Sequence, residues 1–349
     1  MTVQTCLQPG LSAVCTELLD FTGDEIYFSE QPDLVGASYL DAQLSFSAST
    51  VIGFVRGDKL WLNPPPDDVV DDGDQLVLIA EDDTSIETTP RGAPDRAAIS
   101  ETARPTAQSQ RTLVLGYSSS VQSMLEDLAD YVPAGSLATV VADVELSHLV
   151  APRALELQVV RADTTSRAVL EGLGVEAYDH VLVLAYRYVL DTQAADAKTL
   201  VTLLHLRDIA DRADVRLSIV SEMLDDRNRE LAEVTRPDDF IVSDRLASLM
   251  LAQVSEHRSR LPVFEELFTT GGNEIYVRPA EWFVKPGVEA DFYTVVEAAS
   301  CRGETAIGYR TAAEAYSPGL GYGVHLNPAK SERRTYAPGD AIIVLAETT

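Results

Sequence analysis

The sequence has few cysteines, no long apolar run and little positive charge. Its three cysteines, Cys6, Cys15 and Cys301, have no paired spacing, which indicates a reducing compartment rather than a disulfide framework. The longest apolar run, residues 181–190, is interrupted by Arg187 and is far shorter than the roughly 20 apolar residues that span a bilayer. The first residues lack the basic start and apolar core of a signal peptide. Secretion and a membrane span are therefore both disfavoured.

Acidic residues outnumber basic ones by 55 to 27, which gives a formal net charge of −28. Such a chain repels phosphate backbones and anionic lipid, so we expect no nucleic-acid partner and no direct binding to a membrane surface. An acidic surface is typical of solvated cytosolic proteins, and a cation-sensing surface would have the same composition. Charge alone leaves both interpretations open.

The chain contains one small domain twice. Each copy follows an apolar, helix-like stretch, Val14–Leu19 or Val263–Phe268. Five landmarks in the same order indicate a duplicated module, and duplication around another domain favours ligand sensing or assembly over single-site catalysis. We predict that residues 21–83 and 270–347 share one fold, the second with an insertion around 312–323. The clearest matching landmarks are 23–27 (GDEIY) with 272–276 (GNEIY), 51–54 (VIGF) with 306–309 (AIGY), 62–65 (LNPP) with 326–329 (LNPA), and 73–81 with 339–347.

The first copy has the pattern of a compact α+β unit. Its predicted strands and its helix, residues 39–46, are short and closely spaced, and Gly57 allows a tight hairpin turn. Residues 84–110 are rich in Thr, Ser, Pro, Ala and charge, without an apolar period, and are predicted to be a linker.

From Arg111 the pattern alternates between strand and helix. Six apolar runs are predicted strands, and the longest predicted helix runs from Thr192 to about Arg212. Alternating βα units indicate a parallel, doubly wound sheet. The predicted strands are 112–115, 137–142, 157–160, 181–184, 217–220 and 240–242.

A sheet of this kind binds ligands at the carboxyl ends of its strands. The dinucleotide fingerprint G-x-G-x-x-G survives there only as Gly116, because Ser118 and Val121 replace the other glycines. NAD binding is therefore disfavoured, although Ser118, Ser119 and Ser120 could hold a smaller anion at a helix N-terminus. Asp143 lies where an acid would bind a ribose, but an aspartate at a strand end is also ordinary.

Five carboxylates follow strand ends in the same domain. They could bind a cation, or they could be acids that complement helix N-termini. The five histidines form no ligand pair, and the chain has no nucleophile elbow, Walker lysine or catalytic triad, so we expect no enzyme. The candidate metal ligands are Asp191, Asp196, Glu222, Asp225 and Asp226.

Several stretches together carry a family resemblance: 7–11 (LQPGL), 60–64, 73–83, 221–227 (SEMLDDR), 240–243 (FIVS), 264–268 (FEELF) and 307–310 (IGYR). Through them the chain resembles RCK domains, the regulators of potassium conductance, and most closely those of the Castor and Pollux type ion channels. The resemblance covers nearly the whole chain. It implies cation channels in which a transmembrane pore is followed by two RCK domains per subunit, with four subunits in a cytosolic gating ring and calcium implicated in regulation.

The resemblance implies a degenerate Rossmann-like doubly wound sheet lobe flanked by two small α+β RCK C-terminal lobes. Residues 1–20 are then a terminal helix left from a first RCK Rossmann lobe, and 21–83 are the first C-terminal lobe. A linker, 84–110, leads to the second Rossmann-like lobe, 111–262. The crossover helix and second C-terminal lobe occupy 263–349.

The resemblance favours one function among three. The first is the cytosolic gating-ring region of a ligand-gated cation channel, at the cytoplasmic side of the membrane and soluble as a fragment. The second is a free-standing regulatory subunit of a separate transporter, and the third is an NAD-dependent enzyme. Since no pore precedes the match, we expect a truncated fragment rather than a natural pore-less protein.

Assembly is expected through the crossover helix, because RCK-type domains pair there and in the small lobe. An apolar surface on that helix would be too large to leave exposed, so we predict that the two small lobes pack together, within one chain or across a two-fold axis. The alternative is that each helix covers only its own lobe. Val14–Leu19 should contribute the matching helix, and the fragment could dimerise. The predicted interface residues are Val263, Phe264, Leu267 and Phe268.

Overall fold

The computed structural model describes residues 2–21, 23–215, 217–228, 231–232, 235, 238–269 and 271–347. The chain divides into two compact units, and each contains two segments of sequence. The sheet unit comprises Met1–Ser12 and Pro105–Ala247. The twin-lobe unit comprises Ala13–Arg104 and Ser248–Thr349.

Strands and helices have the following bounds. The strands are β1 Glu25–Glu30, β2 Thr50–Arg56, β3 Lys59–Leu62, β4 Gln75–Ala80, β5 Arg111–Leu115, β6 Ser136–Ala142, β7 Leu155–Arg161, β8 His180–Val183, β9 Ser218–Glu222, β10 Asp239–Ile241, β11 Asn273–Pro279, β12 Glu289–Asp291, β13 Thr305–Arg310, β14 Val324–Leu326, β15 Arg333–Thr335 and β16 Ala341–Glu347. The helices are α1 Thr2–Leu7, α2 Leu11–Leu19, α3 Tyr39–Leu44, α4 Val121–Tyr131, α5 Arg167–Leu173, α6 Thr192–Ala213, α7 Ser243–Glu256, α8 Leu261–Phe268 and α9 Phe292–Ser300. In the described part of the chain, no helix has the length and apolar character to cross a membrane.

The sheet unit is built on six parallel strands in the order β7-β6-β5-β8-β9-β10. Counted from β5, this order is 3-2-1-4-5-6, that of a doubly wound Rossmann sheet. Successive side chains of a strand point to opposite faces. Leu113 and Leu115 accordingly pack in one core, while Val114 packs in another on the opposite face. The predicted doubly wound sheet is confirmed.

Two helices occupy the first residues, which were expected to be one terminal helix. The break between α1 and α2 lies at Gly10, whose φ of 95° favours glycine. Val3 and Cys6 of α1 pack with Val114 in the core of the sheet unit. Burial raises the pKa of the Cys6 thiol to about 12.

The twin-lobe unit contains two small lobes with the same strand order. The first lobe, β1–β4 with α3, has the antiparallel order β1-β4-β2-β3. The second lobe, β11–β16 with α9, has the equivalent order β11-β16-β13-β14 and adds the ribbon β12–β15. The turn between β2 and β3 is tight, whereas residues 311–323 separate β13 from β14 and include two 3₁₀ turns. The predicted common strand order and insertion are both confirmed.

A glycine at the same place in both lobes explains one repeated landmark. Gly53 and Gly308 lie at the bulges of β2 and β13. A Cβ at Gly53 would lie 2.1 Å from the Trp61 carbonyl oxygen, and one at Gly308 would lie 2.3 Å from that of His325. Only glycine allows the neighbouring strand to approach so closely.

The segment that was predicted to be a linker, 84–110, packs partly against the second lobe. Ala98 is buried in the core of that lobe, and Ile99 forms a β-bridge with Val284. Arg104 pairs with the buried Glu304, which directly precedes β13. The Pro- and Ser-rich sequence of residues 84–110 therefore reflects an extended path over a surface rather than a lack of contacts.

Candidate functional site

The carboxyl ends of the parallel strands bring most of the predicted ligand residues to one edge of the sheet. Gly116 and Ser118 follow β5, and Asp143 follows β6. Tyr186, which was not predicted, follows β8. The order of strands changes direction between β5 and β8, and this is where a doubly wound sheet opens a crevice. This edge of the sheet is therefore the candidate ligand site.

The loop after β5 is tightly packed. Gly116 has a φ of 102°, and a Cβ there would lie 2.1 Å from the Leu184 carbonyl oxygen. Ser118 is buried, and its hydroxyl accepts a hydrogen bond of 3.2 Å from the backbone N–H of Ser120. Ser119 and Ser120 are exposed at the start of α4. The glycine thus serves strand packing, and the Ser118 side chain is engaged within its own loop.

A lysine from α6 pairs with the carboxylate that was expected to contact a ribose. The Lys198 ammonium donates to Asp143 and lies 3.3 Å from Asp163, which follows β7. It also lies 4.5 Å from the centre of the Tyr186 ring. Burial alone would lower the pKa of Lys198, but the hydrogen bond and charge of Asp143 raise it above its ordinary value. The ammonium is therefore charged, and it neutralises the acid that a ribose would need.

Two predicted metal ligands accept hydrogen bonds from backbone N–H groups. Asp191 caps α6 by accepting from the N–H of Ala194 at 3.0 Å. The buried Asp196 accepts from the N–H of Leu224 at 2.9 Å and of Asp225 at 3.0 Å, and also from the Asn228 amide. Asp191 thus fits the helix-terminus alternative, while Asp196 anchors the loop after β9.

The other three predicted metal ligands pair with arginines. Glu222 lies 3.6 Å from the Nε of Arg187, and burial raises the pKa of this carboxyl although the arginine opposes the shift. Asp225 pairs with Arg227 at 2.6 Å and Asp226 with Arg245 at 3.1 Å. Among the described residues, no group of three or more His, Cys, Asp or Glu side chains could hold a metal ion. The five carboxylates are thus not gathered into one site.

The predicted interface residues lie on α8 in the twin-lobe unit. Val263, Phe264 and Leu267 are buried, and Phe268 is half-buried with its ring stacked on Phe264 at 6.0 Å. Helix α8 packs against β11 of the second lobe and also against β3 of the first.

The two lobes also contact each other through matching asparagines, which the sequence reasoning noticed only as repeated landmarks. The Asn63 amide donates to the Gly303 carbonyl at 2.9 Å, and its oxygen accepts from the Thr305 hydroxyl at 2.8 Å. In the opposite direction, Asn327 donates to the Ala48 carbonyl at 2.9 Å and accepts from the Thr50 hydroxyl at 2.9 Å. The repeated Leu-Asn-Pro string was the signal for this pair.

A buried lysine lies in the same contact. Lys330 of the second lobe donates from Nζ to the carbonyls of Gln43 at 2.8 Å and Ser49 at 2.7 Å. Burial lowers its pKa to about 7. The equivalent landmark position in the first lobe is Pro66, so the repeat itself gave no indication of this contact.

Known proteins resemble this chain along almost its whole length. Residues 1–94 match the family model described as Castor and Pollux, part of voltage-gated ion channel. The ion channel POLLUX of Lotus japonicus is 30% identical over 390 residues, which cover 99% of this chain and 42% of that protein. The probable ion channel SYM8 of Pisum sativum is 29% identical over 388 residues, covering 99% of this chain and 43% of that protein. The chain thus spans less than half the length of these curated relatives.

The fold is also known from a solved structure. The human SLO3 gating ring matches 99% of this chain with a TM-score of 0.69, covering 74% of that chain at 14% identity. At this identity the likeness concerns the fold. The expected resemblance and the fold class, a Rossmann-like sheet with two small α+β lobes as in a gating ring, are both confirmed.

Proposed function

Because the chain is related in sequence to the Castor and Pollux ion channels, we propose that it is the regulatory, gating-ring region of a ligand-gated cation channel. The observation that carries this proposal is the similarity to proteins named as ion channels over 99% of the chain. The likeness of fold to a gating ring supports it. The pore would then belong to a part of the protein outside this sequence, and the region would lie at the cytoplasmic side of the membrane.

The mechanism we infer is a shift between two states of a ring. A ligand that binds one state more tightly moves the equilibrium towards that state, and the difference in binding free energy acts on the pore. Residues 21–83 and 263–349 would be the RCK C-terminal lobes and 111–262 the Rossmann-like lobe, with 84–110 connecting them. Four such subunits would form the ring, and the isolated fragment could form a dimer.

The sheet edge disfavours a dinucleotide as the ligand. The Lys198–Asp143 ion pair disfavours a ribose at the β6 end, and Ser118 and Val121 disfavour a pyrophosphate beside Gly116. We therefore expect a ligand smaller than a dinucleotide, and calcium is the ion that the resemblance implies.

Two experiments test the proposal. In the first, the chain is titrated calorimetrically with calcium, sodium, NAD, ATP and cyclic dinucleotides, and saturable binding of one ligand without turnover is expected. In the second, the full-length channel is reconstituted in liposomes with and without this region, and the bound ligand should change cation flux only when the region is present. Flux that is indifferent to both the region and every ligand would contradict the proposal, as would turnover of a nicotinamide substrate.

A further inference from the structure

The two asparagine contacts between the lobes differ at one position. Besides the contacts given above, Asn63 donates to the side-chain oxygen of Asn273 at 3.2 Å, whereas Asn327 donates to a carboxylate oxygen of Asp24 at 2.8 Å. Asp24 and Asn273 occupy the same place in the repeated landmarks GDEIY and GNEIY. The half of the contact around Asn63, here called its half-contact, therefore ends on the amide of Asn273. The half-contact around Asn327 ends on the acid Asp24.

The Asn273 side chain both donates and accepts hydrogen bonds in the half-contact around Asn63. The Nδ2 of Asn273 donates to the Leu62 carbonyl at 2.9 Å and to the Glu266 carboxylate at 3.0 Å. Its oxygen accepts from Asn63. Both acceptors, the Leu62 carbonyl and the Glu266 carboxylate, therefore receive a hydrogen bond from the Asn273 amide.

Asp24 has neighbours that correspond to those of Asn273, but Asp24 is an acid and not an amide. Its neighbour Glu17 of α2 corresponds to Glu266 of α8, since both lie over the glycine that begins the landmark. An ionised Asp24 has no hydrogen to donate towards Glu17, and two negative charges in a half-buried site repel each other. Glu81, directly after β4, adds a third negative charge, and Asp20 adds one beside Glu17. His325 of β14 is the titratable base that faces Glu17, and it lies 3.3 Å from Glu314.

We propose that Asp24 is a proton-dependent switch in the contact between the two lobes. When Asp24 is protonated, its O–H takes the place of the Asn273 amide hydrogen and donates towards Glu17, so both half-contacts are alike. When the proton leaves, that hydrogen bond is replaced by repulsion between carboxylates, and the half-contact around Asn327 weakens. The proposal concerns the contact itself and does not depend on the proposed channel function.

The direction of the pH effect follows from the protonation of Asp24. Burial, and then the charges of Glu17 and Glu81, raise its pKa from 3.8 to about 6, although the hydrogen bond from Asn327 opposes the shift. A raised pKa means that the folded chain holds the proton more tightly than the unfolded chain. The stabilisation is therefore fully present below pH 4 and is lost as the pH rises through 6.

The test compares Asp24→Asn with Glu30→Gln, a matched carboxylate-to-amide change at the exposed end of β1. Thermal midpoints are measured from pH 4 to 8. We expect Asp24→Asn to match the wild type at low pH and to melt higher above pH 6, whereas Glu30→Gln should follow the wild-type profile. The reverse variant, Asn273→Asp, should install a second like-charge pair and steepen the fall in midpoint between pH 5 and 7.

A direct titration decides the question even if a variant fails to fold. The carboxyl carbon of Asp24 in the wild-type chain, followed by NMR, should titrate with a midpoint near 6. A midpoint near the ordinary value of about 3.9 would overturn the proposal. So would an Asp24→Asn profile that parallels the wild type throughout.

Discussion

Asn63 and Asn327 make the same hydrogen bonds in opposite directions across the contact between the two lobes. Both have positive φ angles, 47° and 43°, a conformation that asparagine tolerates better than most residues. Each side chain thus combines a backbone role in its own lobe with a polar contact to the other lobe. The two roles can be separated by substitution.

Replacing Asn63 with glycine should remove the side-chain hydrogen bonds but leave the positive φ unstrained. Replacing it with alanine should remove the same hydrogen bonds and also strain the backbone. We expect Asn63→Gly to lower the free energy of unfolding by about 1–3 kcal/mol because Thr305 and Gly303 lose partners. Asn63→Ala should cost about 1 kcal/mol more because of its positive φ. Urea denaturation of the two variants gives the comparison, and equal stability of alanine and glycine would contradict the backbone part of the prediction.

The apolar face of α8 should be essential to the packing of the lobes. Replacing Phe264 and Leu267 together with aspartate would bury two charges without partners, so we expect a loss of several kcal/mol or separation of the assembly. Sedimentation and thermal melting measure the two outcomes. Glu265→Gln, on the exposed face of the same helix, is the control. Unchanged sedimentation and melting of the double variant would exclude this interface.

Lys330 should make the stability of the twin-lobe unit depend on pH in the alkaline range. Its pKa is lowered by burial to about 7 from an ordinary 10.5, so between these values the unfolded chain holds the proton and the folded chain does not. Stability attributable to this group should therefore rise from pH 7 to 10.5. Lys330→Met should abolish this rise, and the exposed Lys285→Met should retain it. A rise that survives in Lys330→Met would assign it to another group.

Asp196 should stabilise the loop after β9 independently of any metal. Asp196→Ala leaves the N–H groups of Leu224 and Asp225 without their acceptor, which should cost about 3 kcal/mol and speed hydrogen exchange at both amides. Asp211→Ala, exposed on the same helix, is the control. If calcium raised the melting midpoint of the wild type but not of Asp196→Ala, the predicted cation site would be supported instead.

The sequence predicts the parts of this fold that depend on local pattern. Repeated strings located both lobes because they mark positions with strict local demands, such as Gly53 and Gly308 at the bulges. The apolar runs located the sheet strands, since buried parallel strands are almost continuously apolar. The ribbon of β12 and β15 was missed because three-residue strands carry too little pattern.

The candidate site was less predictable because its contacts join distant residues. Nothing near Asp143 in the sequence indicates that Lys198, 55 positions away, neutralises it. The carboxylate of Asp196 was a plausible metal ligand by position, yet backbone N–H groups of a later loop occupy it. Polar partners of this kind are set by the packing of elements, which composition and spacing do not encode.

The twin lobes lie in one polypeptide, so their contact is held at a high effective concentration that dilution does not reduce. A symmetric dimer of identical lobes would have to use the same residue on both sides of its axis. Here each side belongs to a different stretch of sequence and can change alone. The difference between Asp24 and Asn273 is such a change. Of the two half-contacts in one polypeptide, the one with Asp24 can depend on pH, while the one with Asn273 does not.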